Sequence, residues 1–197
     1  MLWPKLVCFV VVSFALCQPY QALPIYQETL SACPVNFTRL ADKCLLVDTS
    51  WLNWYEADRH CHSINAGLLS IENETDLKAI NDWLPVVAPN LLEFWTSGNK
   101  LNHPSKKLDY FWQSTGDKAL YLPWADGEPT SDRGDCLALY ANYIVSLGEL
   151  VMEDHRLNVK DCTQWAPHIC QTEPVQFQTH LCLNPDAFHE VQVPVWS

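Results

Sequence analysis

Catalytic signatures are the first thing this sequence lacks. It has no His-Glu-x-x-His, no Gly-x-Ser-x-Gly and no glycine loop suited to cradling a phosphate. Zinc hydrolysis, nucleophile-elbow chemistry and nucleotide handling therefore have no starting point, and an enzyme is not expected. No Cys-x-x-Cys pair occurs among the nine cysteines, which argues against a zinc knuckle. Of the seven histidines, His60 and His62 flank Cys61 on a predicted helix, where residues two apart do not share a face. Basic residues are also scarce: 12 Lys and Arg stand against 23 Asp and Glu, a formal charge of −11. An acidic surface repels nucleic-acid phosphates and anionic headgroups, so neither is expected as a partner, and the charge otherwise serves solubility. Beyond the first residues no segment is apolar for the roughly 20 residues a membrane span needs. Internal repeats and low-complexity tracts are absent too.

What is present begins with a secretory pattern. Lys5 precedes an apolar stretch from Leu6 to Leu16, followed by Cys17 and the polar Gln18-Pro19. This reads as a signal peptide over residues 1–17, with cleavage after Ala22 as the alternative, and it predicts a secreted, extracellular protein. The mature chain then carries Cys33, Cys44, Cys61, Cys136, Cys162, Cys170 and Cys182. In an oxidising compartment these read as a disulfide framework with one cysteine over. Six cysteines allow fifteen pairings, among which spacing alone does not choose. Asn36-Phe-Thr38 and Asn73-Glu-Thr75 are acceptor sequences for N-glycosylation.

Periodicity separates two halves. Trp54, Ala57, Cys61 and Ile64 recur at helical steps, with Asn53 and Glu56 spaced as a capping box. Gly67 interrupts the pattern. A second helix is predicted from Asn73, with Leu77, Ile80 and Leu84 on one face and Pro85 as its end. Short aromatic and branched runs follow at Phe94–Thr96, Tyr110–Trp112, Cys136–Tyr140 and His168–Cys170, which read as strands. Between them, 97–109 and 114–135 lack periodicity. Loops so long in a compact domain are functional or pinned by cross-links. The fold class is therefore α+β, with two helices, small antiparallel sheets and a long irregular loop region. Residues 18–32 form an N-terminal segment, 33–173 the domain, and 174–197 a proline-containing tail.

Six landmarks in order now resemble one family. They are Cys33-Pro34 with Cys44, the helical Cys61, Gly67-Leu68-Leu69-Ser70-Ile71-Glu72, Phe94-Trp95-Thr96-Ser97-Gly98, Trp124-Ala125-Asp126-Gly127-Glu128-Pro129, and the late Cys136, Cys162 and Cys170. From about Cys33 to Glu173 the chain resembles the long form of the C-type lectin-like domain. The resemblance implies bridges Cys33–Cys44, Cys61–Cys170 and Cys136–Cys162. Chain-entropy estimates assign them about 3, about 4.7 and about 3.5 kcal/mol. Cys182 is left unpaired, which points to a free thiol or to a disulfide-linked dimer. Trp54, Trp95 and Trp165 stand beside the landmarks and are expected in the core. Trp124 is expected to pack rather than to stack on a sugar.

In sugar-binding members of that family a calcium ion bridges protein oxygens and sugar hydroxyls. Its ligands come from a Glu-Pro-Asn or Gln-Pro-Asp triplet, a Glu two residues before the next bridging cysteine, and an Asn-Asp pair before the following one. Here the triplet is Glu128-Pro129-Thr130, Gly134 stands two residues before Cys136, and Asn158 is followed by Val159. Two of five side-chain ligands survive, Glu128 and Asn158, whereas calcium takes six to eight oxygens. Asp126, Asp132 and Asp135 lie near enough in sequence to rebuild a site, though solvated loop acids are the plainer reading. Asp161 is held in place by Cys162 and is not expected to replace the missing aspartate. The ligand-binding positions carried over are thus Glu128, Thr130, Asn158, Asp132 and Asp135. No cofactor is expected, and a calcium ion, if bound, would rest on Glu128 and Asn158. Three readings follow: a recognition protein for a glycan or extracellular protein with an incomplete calcium site, a calcium-dependent lectin with a rebuilt site, or a cross-linked matrix component using the tail and Cys182.

Overall fold

The computed structural model of this chain describes residues 30–101, 109–130, 132–146, 148–184 and 187–194, with side chains up to Phe177. The predicted signal peptide lies outside the described residues. They fall into two compact units, Ser31–Gln176 and a second that includes the chain from Phe177 onward.

The described residues open with β1 (Leu30–Ala32), β2 (Thr38–Leu40) and β3 (Lys43–Leu52), then α1 (Trp54–Ser63). Asn53 caps α1 through the full capping box: its side chain accepts the Glu56 N–H, and the Glu56 carboxylate accepts the Asn53 N–H. The two-residue β4 (Gly67–Leu68) follows, and Asn73 caps α2 (Glu74–Val87) by accepting the Asp76 N–H at 2.9 Å. Pro85 does not end α2. The helix runs two residues further, because the ring removes only one N–H near the last turn and Ala88 closes that turn on the Leu84 carbonyl at 2.8 Å.

Then come β5 (Glu93–Asn99), β6 (Phe111–Trp112), β7 (Cys136–Tyr140), β8 (Tyr143–Ser146), β9 (Glu149–Met152), β10 (Arg156–Lys160) and β11 (Ala166–Thr172). The main sheet has the order β10-β7-β5-β11-β3-β2, with β4 beside β11 and β6 beside β5. It contains one parallel pairing, β11 with β5. Alternate residues of its central strands feed two cores. Phe94, Leu137, Leu139 and Ile169 pack with Leu77, Ile80 and Leu84 of α2. Trp95, Ala138, Ala166 and Cys170 pack with Trp54, Ala57 and Cys61 of α1. A sheet buried on both faces has no polar face to alternate with, which is why these strands read as apolar runs. Trp165 departs from expectation: it is 59% exposed, at the turn before β11 rather than in the core.

Three disulfides join Cys33–Cys44, Cys61–Cys170 and Cys136–Cys162. They tie the chain's entry to β3, α1 to β11, and β7 to the end of β10. Strands β8 and β9 form a separate two-stranded hairpin with exposed side chains. The segment expected as an irregular tail holds a second hairpin, β12 (Val175–Asn184) and β13 (Ala187–Pro194). Its signal was in the sequence, where Val175, Phe177, Thr179, Leu181 and Leu183 alternate with polar residues ahead of Asn184-Pro185-Asp186.

Candidate functional site

The long segment after β6 has little regular structure, and β10 sets its course. Leu157 donates its N–H to the Pro123 carbonyl at 2.8 Å and accepts the Ala125 N–H at 2.9 Å. Trp124, between them, is half-buried and meets the Tyr110 ring edge-on at 5.3 Å. The Glu128 N–H closes a turn on the Ala125 carbonyl at 3.0 Å, and the Glu128–Pro129 peptide is cis. This carries the Glu128 side chain inward toward β10, where it is only 4% exposed.

A buried carboxylate demands donors, and Glu128 has four. Its Oε2 accepts the Thr130 N–H at 2.7 Å, the Thr130 hydroxyl at 2.9 Å and the Val159 N–H at 3.4 Å. Its Oε1 accepts from the guanidinium of Arg133 at 3.1 Å. A carboxylate has about four lone-pair sites, so both oxygens are committed. The charge is met inside the chain by a cation whose own side chain is 63% exposed.

Two of the other family positions offer a metal no oxygen at all. Gly134 has φ +150°, and a Cβ there would lie 2.4 Å from the Lys160 carbonyl oxygen and 2.5 Å from the Asp161 nitrogen. The position has no room for a side chain, let alone a carboxylate. Val159 points into the core, packed with Leu137 and Leu157. Asn158, one residue before it on β10, lines the cleft beside Glu128, and its Oδ1 is buried without a hydrogen-bond partner. Asp135 faces the Lys100 ammonium at 3.4 Å, and Asp132 is exposed. Asp161 turns onto its own loop, accepting the Thr163 N–H and hydroxyl at 2.8 Å each, bonds that hold its carboxyl below the usual range. Burial pushes the Tyr110 hydroxyl up to about 12, with the Asp135 and Glu128 charges adding to the effect. Calcium needs six to eight hard oxygens, and the family's own ligand positions do not supply them: Gly134 and Val159 give none, and the one surviving carboxylate is already bonded at both oxygens, with a guanidinium supplying the positive charge.

What the arrangement does offer is a cleft of about 840 Å³ beside Glu128. Trp124, Tyr140 and Asn142 contribute walls, Arg133 and Arg156 two guanidinium groups, and Asp126, Glu153 and Asp154 three carboxylates. Groups of both signs can orient a polar ligand through hydrogen bonds and leave the wall contacts to supply area. Arg133 and Arg156 were not among the residues anticipated. The signal was available, because Arg133 is the lone basic residue between Lys118 and Arg156, set among Asp126, Glu128, Asp132 and Asp135. Outside the cleft, Asn36 and Asn73 are both exposed. The backbone of Cys182 lies in β12 opposite His189, and its side chain lies outside the described residues.

Comparison with known proteins gives consistent relatives. The profile of the family described as "Lectin C-type domain" matches residues 50–172. Lithostathine-1 of Mus musculus is 28% identical over 140 residues, covering 68% of this chain and 79% of that protein. Among solved structures, human lithostathine superposes with a TM-score of 0.59 at 20% identity, covering 79% of this chain and 99% of the other. A calcium-independent type II antifreeze protein gives 0.60 at 17% identity, covering 75% and 98%.

Proposed function

Because the chain belongs to the C-type lectin domain family, we propose that it is a binding protein that holds a glycan or extracellular protein in the cleft beside Glu128 without calcium. The Glu128–Arg133 pair carries this reading. In the family's sugar-binding pattern the residue at this position spends its oxygens on the metal; here both are spent on Thr130, Val159 and Arg133. The ligand must then be met by side chains directly, with Asn158, Arg133 and Arg156 as the nearest hydrogen-bonding groups. The fold accommodates such a state, since one structural neighbour is described as calcium-independent. Secretion, and a disulfide-linked dimer through Cys182, belong to the same proposal.

Thermal unfolding of the oxidised protein in millimolar calcium and in chelator tests it. A calcium ion at about 100 times its dissociation constant would add roughly 2.7 kcal/mol, several degrees for a chain of this size. The expected result is coincident melting curves for the native protein. Arg133→Ala should also fail to respond to calcium, because Gly134 and Val159 still supply no oxygen. A ligand found on a glycan array should be retained in EDTA. A calcium-dependent rise in Tm that vanishes in Glu128→Ala would overturn the reading.

A further inference from the structure

Away from the cleft, two titratable side chains from two strands, Asp48 and His168, each approach His60 of α1. Asp48 of β3 and His168 of β11 are directly opposed in the antiparallel register, so their side chains leave the same face of the sheet. Onto that face α1 brings His60, next to the Cys61–Cys170 bridge that ties the helix to β11. The His60 Nδ1 lies 2.9 Å from the His168 Nε2 and 3.6 Å from the Asp48 Oδ2. His168 is fully buried, whereas the His60 side chain is 35% exposed. Ser50 holds the other Asp48 oxygen through its N–H at 2.8 Å and through its hydroxyl, so Oδ2 is left turned toward the imidazoles.

We propose that Asp48, His60 and His168 form a binding site for one divalent transition ion of the zinc class. Two imidazole nitrogens and a carboxylate oxygen are the donor set such ions select, and calcium does not. Zinc bonds of about 2.0–2.1 Å in a tetrahedron set neighbouring donor atoms about 3.4 Å apart. The two separations measured from His60 bracket that value. Cys170 approaches the same cluster, but its sulfur is in the disulfide and offers no thiolate. Without metal, the two nitrogens share a proton in a hydrogen bond. When the ion enters, a proton on the His60 Nδ1 is exchanged through solvent to Nε2, and the open side of His60 admits a water as fourth ligand.

The test is calorimetric titration of zinc chloride into the chelator-treated, oxidised full-length protein carrying no histidine tag. One equivalent should bind and raise Tm. His60→Ala and Asp48→Asn, both at partly exposed positions, should each weaken binding by at least about tenfold. His62→Ala, one residue beyond Cys61 and bonded to the Asp58 carbonyl instead, should leave it unchanged. Cobalt in place of zinc should give the intense visible absorption of a four-coordinate site. Absence of saturable zinc uptake, or uptake that persists in both His60→Ala and Asp48→Asn, overturns the proposal.

Discussion

Two buried carboxylates in this protein are answered by cations in opposite ways. Asp76, at the start of α2, accepts from the Lys43 ammonium at 2.9 Å and from the Glu72 N–H at 3.1 Å. Its cation comes from a distant strand, is itself 14% exposed and also donates to the Ser70 carbonyl at 3.1 Å. Glu128 takes its cation from a loop five residues on, with the guanidinium largely in water and three neutral donors besides. The first pair is a fastening between β3 and α2, and removing Lys43 strands the buried Asp76 charge, whereas Lys43 has Glu72 as a second partner at 2.9 Å. The second behaves as a stopper. Its cation can leave while the carboxylate keeps most of its hydrogen bonds, so the loop stays shaped without a metal.

That contrast is open to measurement. Lys43→Ala should lose about 3–5 kcal/mol in denaturant unfolding, the usual cost of leaving a buried charge unpaired; a loss no larger than that of Arg133→Ala would abolish the distinction. His155 sharpens it as a buried group with no cation–carboxylate partner at hydrogen-bond distance among the described residues. Burial lowers its pKa to about 4, only partly offset by the Leu91 carbonyl and the charge of Asp154. The neutral ring is thus favoured in the folded state. Its contribution is fully present above pH 6.5 and is lost as pH falls from there to 4, on the order of 3 kcal/mol. His155→Gln should flatten the stability–pH curve across that window. The smallest effect belongs to the backbone beside the stopper. Gly134→Ala forces a Cβ against the Lys160 carbonyl and should cost about 1–3 kcal/mol by thermal unfolding. A neutral outcome would mean that this loop is looser than its pairing with β10 implies.

Much of the scaffold was legible because local chemistry and burial agree. The Asn53–Glu56 box and the Asn73 cap mark both helix starts, and strands buried on two faces stand out as apolar runs. Strand β3 escaped notice because Lys43, Asp48 and Ser50 break its alternation, each engaged in a polar contact invisible in one dimension. The hairpin of β8 and β9 escaped as well, since a strand pair exposed at every position but Met152 has no buried face to impose a period. That Thr130, Gly134 and Val159 differ from the ligand types of the family's sugar-binding pattern could be read directly. The Glu128–Arg133 pair could not, because Arg133 finds Glu128 only once the turn at Ala125–Glu128 has formed. His60 and His168 stand 108 residues apart, and only the strand register and the neighbouring disulfide bring them together.

The Cys61–Cys170 bridge has a mechanical consequence. Strands β3 and β11 are antiparallel neighbours, so Cys44 near the start of β3 stands opposite Thr172 at the end of β11. Tension applied between the two ends of the protein peels that pair apart until the load reaches the sulfur–sulfur bond, which carries it from one strand of the chain to the other. Every residue of the Glu128 cleft lies inside the covalent ring that this bond closes. A ligand could therefore be held in a cleft that feels none of the pull along the backbone, as on a pulley hung beside a taut line.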